Sequence, residues 1–192
     1  EQSIIWPIAQ LLRLRGLCLI PAAAVVRDGW GALLLANFNL EPELTAMIHA
    51  GWRVLGQNWV AIRQDRDQMM MLHMPGRVNR NGQPVDLTSE FCGSSASVAN
   101  CDAILLAIPG RRPTADVRRI SPTNAPASLR RAWPIAELHP HRRQGQWPAR
   151  LAHRCNIFDI QLSRNPREIL GLLDLARYHR TAHHPVGELI VA

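Results

Sequence analysis

Two short, almost wholly apolar runs, Leu17–Val26 and Trp30–Ala36, are separated only by Arg27-Asp28-Gly29. Asp-Gly favours the positive backbone φ angles that a tight two-residue turn demands. Runs this short, with no polar alternation, predict a β-hairpin buried on both faces. A membrane span is the competing reading of so apolar a stretch. It needs about 20 nearly uncharged residues, and Arg27, Asp28 and the flanking glycines interrupt this one. The runs therefore read as interior strands, with no membrane span.

Helical signals follow. Asn39-Leu-Glu-Pro-Glu opens a helix: Asn39 is a capping residue, Pro42 suits the first turn, and Glu41 and Glu43 complement the dipole. Leu44, Met47 and Ile48 form its apolar stripe and Gly51 ends it. Arg53–Leu55, Trp59–Arg63, Gln68–Met74, Ala103–Ile108 and Ile157–Leu162 have strand character. Ile4–Leu14 reads as a short helix, and Pro109–Pro148 as loops with one short helix at Ala125–Trp133. Asn165-Pro166 starts an amphipathic helix carrying Ile169, Leu170, Leu172, Leu173, Leu175 and Tyr178. Strands interleaved with helices predict an α/β or α+β domain.

All 22 basic residues among the 192 are arginine. The absence of lysine excludes Schiff-base chemistry, a lysine general base and a P-loop lysine. Hydrophobic residues at 47% and charged residues at 19% are globular composition. The length fits a single domain over residues 1–192. Four cysteines without a C-x-x-C pair suit a reducing compartment, so a cytoplasmic location is expected.

The run Ala22-Ala-Ala-Val-Val-Arg-Asp-Gly-Trp-Gly-Ala-Leu-Leu-Leu-Ala is followed by a loop, a helix, and Gly51-Trp-Arg-Val-Leu-Gly-Gln-Asn-Trp-Val-Ala-Ile. From about Ile20 to Ile62 this order resembles the nucleotide-binding core of the HPr kinase/phosphorylase family, a bacterial-type group. The resemblance implies a P-loop kinase-like α/β domain similar to the family's C-terminal core, a mixed sheet with flanking helices. It also implies a glycine-rich phosphate loop after the first buried hairpin and an acidic pair after the following strand.

This chain departs from that pattern at the positions that carry chemistry. A P-loop needs glycines so that backbone N–H groups can wrap phosphate, a lysine for the β/γ-phosphates, and Ser/Thr for Mg²⁺. The corresponding positions are Asn37, Phe38, Asn39, Leu40 and Glu41. Gln57 and Asn58 stand where the acidic pair belongs, and Pro21 replaces a histidine. Amides neither neutralise Mg²⁺ nor accept a proton near neutral pH. Glu41 and Glu43 lie at the helix end that a phosphate would need. Two carboxylates within ~5 Å of a triphosphate oppose it by about a few kcal/mol at an effective dielectric near 20. The expectation is no catalytic residue, no bound cofactor and no metal.

The surplus charge is concentrated. Arg111, Arg112, Arg118, Arg119, Arg130, Arg131, Arg142 and Arg143 are opposed within their own segment only by Asp116 and Glu137, so this stretch holds nearly all of the formal +7. Such a surface suits an anionic partner, and guanidinium forks engage carboxylates or phosphates bidentately. A solvated arginine-rich face is the bland alternative. Weaker signals are the i, i+4 pair His179/His183 with His184, His139 and His141, the loop serines Ser94, Ser95 and Ser97, and Cys92, Cys101 and Cys155. The His179/His183 spacing would put both on one helix face, as a metal requires, but no Glu lies between them as in H-E-x-x-H, and the serine loop is not a G-x-S-x-G elbow.

Known members of the resembled family form oligomers and recognise a protein substrate. The expected function is therefore a catalytically inactive kinase-like protein, a structural, adaptor or regulatory subunit that binds protein partners within a complex or homo-oligomer. An ATP-dependent kinase with a rearranged site and an arginine-rich nucleic-acid-binding module are the alternatives.

Overall fold

The computed structural model describes residues 9, 11–12, 14–73, 77–80, 83–86, 98–109, 114–133 and 146–181. In chain order these form β1 (Leu17–Ile20), β2 (Ala23–Arg27), β3 (Trp30–Leu35), α1 (Glu41–His49), β4 (Arg53–Gly56), β5 (Val60–Asp65) and β6 (Gln68–Leu72). They continue with β7 (Arg77–Arg80), β8 (Gln83–Asp86), β9 (Val98–Asn100), β10 (Ala103–Ile108) and β11 (Asp116–Arg119). Last come α2 (Ala125–Ala132), α3 (Trp147–Arg154), β12 (Asn156–Gln161) and α4 (Glu168–Thr181).

The hairpin expected from the opening runs is β2–β3. Arg27 pairs with Trp30 across Asp28 and Gly29, whose φ angles of 50° and 76° are those of a type I′ turn. The first run is not one strand, however. It breaks at Pro21 and Ala22, because proline lacks the N–H a continuous ladder requires. The upstream piece, β1, joins a different sheet, pairing antiparallel with β5.

The larger sheet has six strands in the order β11-β12-β10-β3-β2-β4. Its inner strands β12, β10 and β3 run parallel, and β11, β2 and β4 are antiparallel to their neighbours. The second sheet, β1-β5-β6-β9, is wholly antiparallel, and β7 pairs with β8.

Period-two alternation divides the core. Ala24, Val26, Leu33, Leu35, Ile104 and Leu106 face Ile20, Ile62 and Met71 of the second sheet together with Leu129 and Leu151 of α2 and α3. Ala23, Val25, Ala32, Leu34, Leu105 and Phe158 face Leu44 and Met47 of α1 and Ile169 and Leu173 of α4. The six-stranded sheet is thus covered on both sides, which explains why β3 is apolar at every position.

Helix α1 closes at Gly51, φ 83°. At its start the capping position falls to Leu40, one residue later than the sequence suggests. Asn39 lies outside the helix and its Oδ1 accepts the Glu41 N–H at 2.9 Å. Two elements within Pro109–Pro148 differ from the expected loops. Strand β11, Asp-Val-Arg-Arg, is an edge strand whose charges face solvent, so pairing with β12 overrides weak strand propensity. Helix α3 begins at Trp147, and burying Trp147 and Leu151 is what orders so short a helix. The proposed helix Ile4–Leu14 lies mostly outside the described residues. Among the described residues no helix is long and apolar enough to cross a membrane.

Gly31 marks the closest approach of the two sheets: a Cβ there would collide with the Asn100 carbonyl of β9 and the Met71 side chain of β6. Gly31→Ala is expected to destabilise by about 3 kcal/mol or more, at the upper end of overpacking costs. Urea denaturation measures this, and an unchanged midpoint would contradict the packing.

Candidate functional site

The carboxyl end of β3, the start of α1, the β1–β2 break and the β4–β5 connection converge on one cleft of about 100 Å³. Its walls are Pro21, Ala22, Ala23, Leu34, Ala36, Phe38, Asn39, Leu40, Gln57 and Asn58. Folding therefore gathers the three positions singled out in the sequence: the phosphate-loop equivalent, the acidic-pair equivalent and the proline replacing a histidine. In open α/β sheets, ligand crevices lie at this end of the parallel strands.

The chemistry of the walls is neutral, since none of these ten residues is ionisable. This corrects the expectation that carboxylates fill the mouth. Glu41 and Glu43 lie outside the lining. Glu43 is only 8% exposed, and its Oε2 has no hydrogen-bond partner among the described residues. Burial pushes its carboxyl pKa up, and the hydrogen bond from its own backbone N–H pulls the other way with smaller effect.

An anion at a helix start is held by the first-turn N–H groups. In α1 the Glu41 N–H is taken by Asn39 Oδ1 at 2.9 Å, and Pro42 has none. Leu44 N–H is already bonded to the Leu40 carbonyl at 2.9 Å. The first two positions of the helix therefore offer no free donor. Asn39 Nδ2 also reaches Glu41 Oε2 at 3.5 Å, which holds the turn in this form.

The arginine pairs fall elsewhere. Arg118 and Arg119 stand on β11 and Arg130 and Arg131 on α2, all exposed. Arg111, Arg112, Arg142 and Arg143 lie outside the described residues. Arg118 meets Asp159 Oδ2 at 3.3 Å, whereas Arg119 donates to the neutral Asn156 Oδ1 at 2.7 Å and meets no carboxylate among the described residues. Arg119 lines a second cleft of about 200 Å³ with Pro122, Ala125, His153, Arg154, Cys155 and Asn156 among others.

That cleft sits where β12 begins and β11 ends, the opposite end of the parallel strands from the neutral one. His153 and Arg154 belong to α3, a helix the sequence reading missed. The basic last turn of Trp-Pro-Ala-Arg-Leu-Ala-His-Arg was the available signal. Arg154 is paired with Asp67 at 2.9 Å.

Among the described residues no group of three or more His, Cys, Asp or Glu could hold a metal. His139, His141, His183, His184, Ser94, Ser95, Ser97 and Cys92 lie outside the described residues.

No family model and no curated protein matches the chain. Among solved structures, the HPr(Ser) kinase/phosphatase from Coxiella burnetii aligns with a TM-score of 0.50 at 15% identity, over 85% of this chain and 97% of that one. The fold is thus that of an HPr kinase-like α/β core. At this identity the likeness concerns the fold and leaves the chemistry to the residues.

Because folding raises the Glu43 pKa above its ordinary 4.5, this group supports the fold below that value, and the support is lost as pH rises through the folded value. Glu43→Gln is expected to flatten the fall in stability from about pH 4.5 upward toward neutrality. Unfolding free energies across that range measure it, and identical slopes in variant and parent would refute the burial argument.

Proposed function

We propose that this protein keeps a kinase-like fold without phosphoryl transfer and acts as a structural, adaptor or regulatory subunit that binds protein partners. The observation that carries this reading is the state of the α1 start: its first two donors are engaged or absent, beside a cleft with no ionisable wall. The sequence adds that no lysine exists anywhere in the chain and that Gln57 and Asn58 replace the acidic pair. A triphosphate entering here would lose hydration and gain no charge-assisted hydrogen bond in exchange.

The partner-binding surface we assign is the arginine-bearing one. Arg119, Arg130 and Arg131 are exposed, and Arg119 is held by an amide rather than a carboxylate. Guanidinium groups placed in this way retain their capacity for a carboxylate-bearing partner. They are presented away from the neutral cleft, so partner binding and nucleotide chemistry have no need of the same residues.

A ligand present at 100 times its Kd stabilises the native state by about 2.7 kcal/mol. ATP with Mg²⁺ is expected to leave the melting temperature of the full chain unchanged, and a rise of several degrees would favour the rearranged-kinase alternative instead.

Partner capture from the native host followed by mass spectrometry addresses the binding half. Arg130→Glu with Arg131→Glu is expected to weaken the captured complex at least tenfold while costing about 1–2 kcal/mol of stability, because both charges complement the carboxyl end of α2. Undiminished capture would place the interface elsewhere. A steep loss of RNA or DNA binding with added salt would identify the nucleic-acid alternative.

A further inference from the structure

Cys101 closes the link from β9 into β10, and Cys155 joins α3 to β12. Since β10 and β12 run parallel with Ala103 opposite Asn156, the sheet sets these cysteines on neighbouring backbones. The Asn156 N–H donates to the Asp102 carbonyl at 3.0 Å and holds that spacing. The Cys155 thiol donates to the Cys101 carbonyl at 3.1 Å, and the two sulfurs are 3.8 Å apart. A disulfide requires ~2.05 Å, so each Sγ needs to travel only about 1 Å.

The two thiols differ in access. Both are buried, at 4% for Cys101 and 7% for Cys155, yet only Cys155 lines the cleft of about 200 Å³ beside Arg119, His153 and Arg154. Cys18, the remaining described cysteine, is free and buried on β1 of the four-stranded sheet.

We infer that Cys101 and Cys155 form a dithiol modification site that a small hydroperoxide entering this cleft oxidises to a disulfide. Cys155 reacts first, because the hydrogen bond with Cys155 and then burial keep the Cys101 thiol protonated well above its ordinary range. The Cys155 thiolate attacks one peroxide oxygen and the O–O bond breaks. This yields a sulfenic acid and hydroxide, which takes up the proton lost by Cys155 to become water. Cys101 sulfur then attacks Cys155 Sγ. The S–S bond forms, the S–O bond breaks, and the departing hydroxide leaves as water with the Cys101 proton. Two thiols lose two electrons and one hydroperoxide becomes two waters (or water and an alcohol).

The bond joins residues 54 apart and pins the α3–β12 junction to the start of β10. A loop of this length is expected to raise the melting temperature by roughly 5–10 °C.

The test uses the full chain carrying Cys92→Ser, treated with hydrogen peroxide and digested at arginine without reduction. Cleavage then yields peptide 81–111, whose one remaining cysteine is Cys101, and peptide 155–164, which contains Cys155. The expected result is these two peptides linked, lighter by two hydrogens than their sum, with the melting temperature raised and returned to its starting value by reductant. Adding Cys101→Ser should leave a trappable Cys155 sulfenic acid and no thermal shift. Both thiols free after treatment, or Cys155 over-oxidised while Cys101 remains reduced in the Cys92→Ser chain, would overturn the assignment.

Discussion

The six-stranded and four-stranded sheets meet at one point through backbone as well as through side chains. Gly31 N–H donates to the Asp102 carboxylate at 3.0 Å, and the Asp102 N–H returns a bond to the Gly31 carbonyl at 2.9 Å. One residue further back, the Cys101 N–H donates to the Met69 carbonyl at 2.7 Å. Strand β3 of the large sheet, strand β6 of the small one and the β9–β10 link are thereby tied at a single point. No side chain fits at residue 31 between these groups. The layering on one side of the large sheet, and with it the core around Ile62, Met71 and Ile104, depends on that approach.

The opposite end of β3 leads into a helix start whose donors are partly consumed by its own residues. A strand leading into a helix start is a ready-made anion site, because helix geometry leaves N–H groups unpaired there. In α1 part of that potential is consumed internally, by the Asn39 amide and by proline. Nothing in strand order or helix placement needs to change for this to happen. Fold similarity to a solved kinase/phosphatase at 15% identity and a partly self-satisfied helix start are therefore compatible.

Charge is correspondingly redistributed along the parallel strands. The cleft at their carboxyl ends has no ionisable wall, while the one at their amino ends is lined by Arg119, His153 and Arg154. Two of the neighbouring arginines meet carboxylates, Arg118 at Asp159 and Arg154 at Asp67, and among the described residues Arg119 meets only the Asn156 amide. An electrostatic partner would find its complement at the second end. The same cleft opens onto Cys155, so redox chemistry and charge share one face of the molecule.

Much was legible before folding because it is local. The Asp28-Gly29 turn, the α1 stripe of Leu44 and Met47, the stop at Gly51 and the apolar run Ala103–Ile108 each express backbone preference or periodicity within one segment. The absence of a lysine and of loop glycines is equally local, since it is a matter of residue identity. What the sequence could not convey depended on distant partners. Pro21 sends one apolar run into two sheets only because β5 waits for β1, and β11 and α3 exist only because β12 and the core at Leu151 accept them. Glu43 reads as a dipole partner in the sequence, and burial beneath its own helix made it a titrating liability instead. The meeting of Cys101 with Cys155 is likewise a product of parallel strand register, which no spacing of 54 residues reveals. Local propensity is carried by neighbours in the chain, whereas burial, register and charge pairing are set by residues that only the fold brings near.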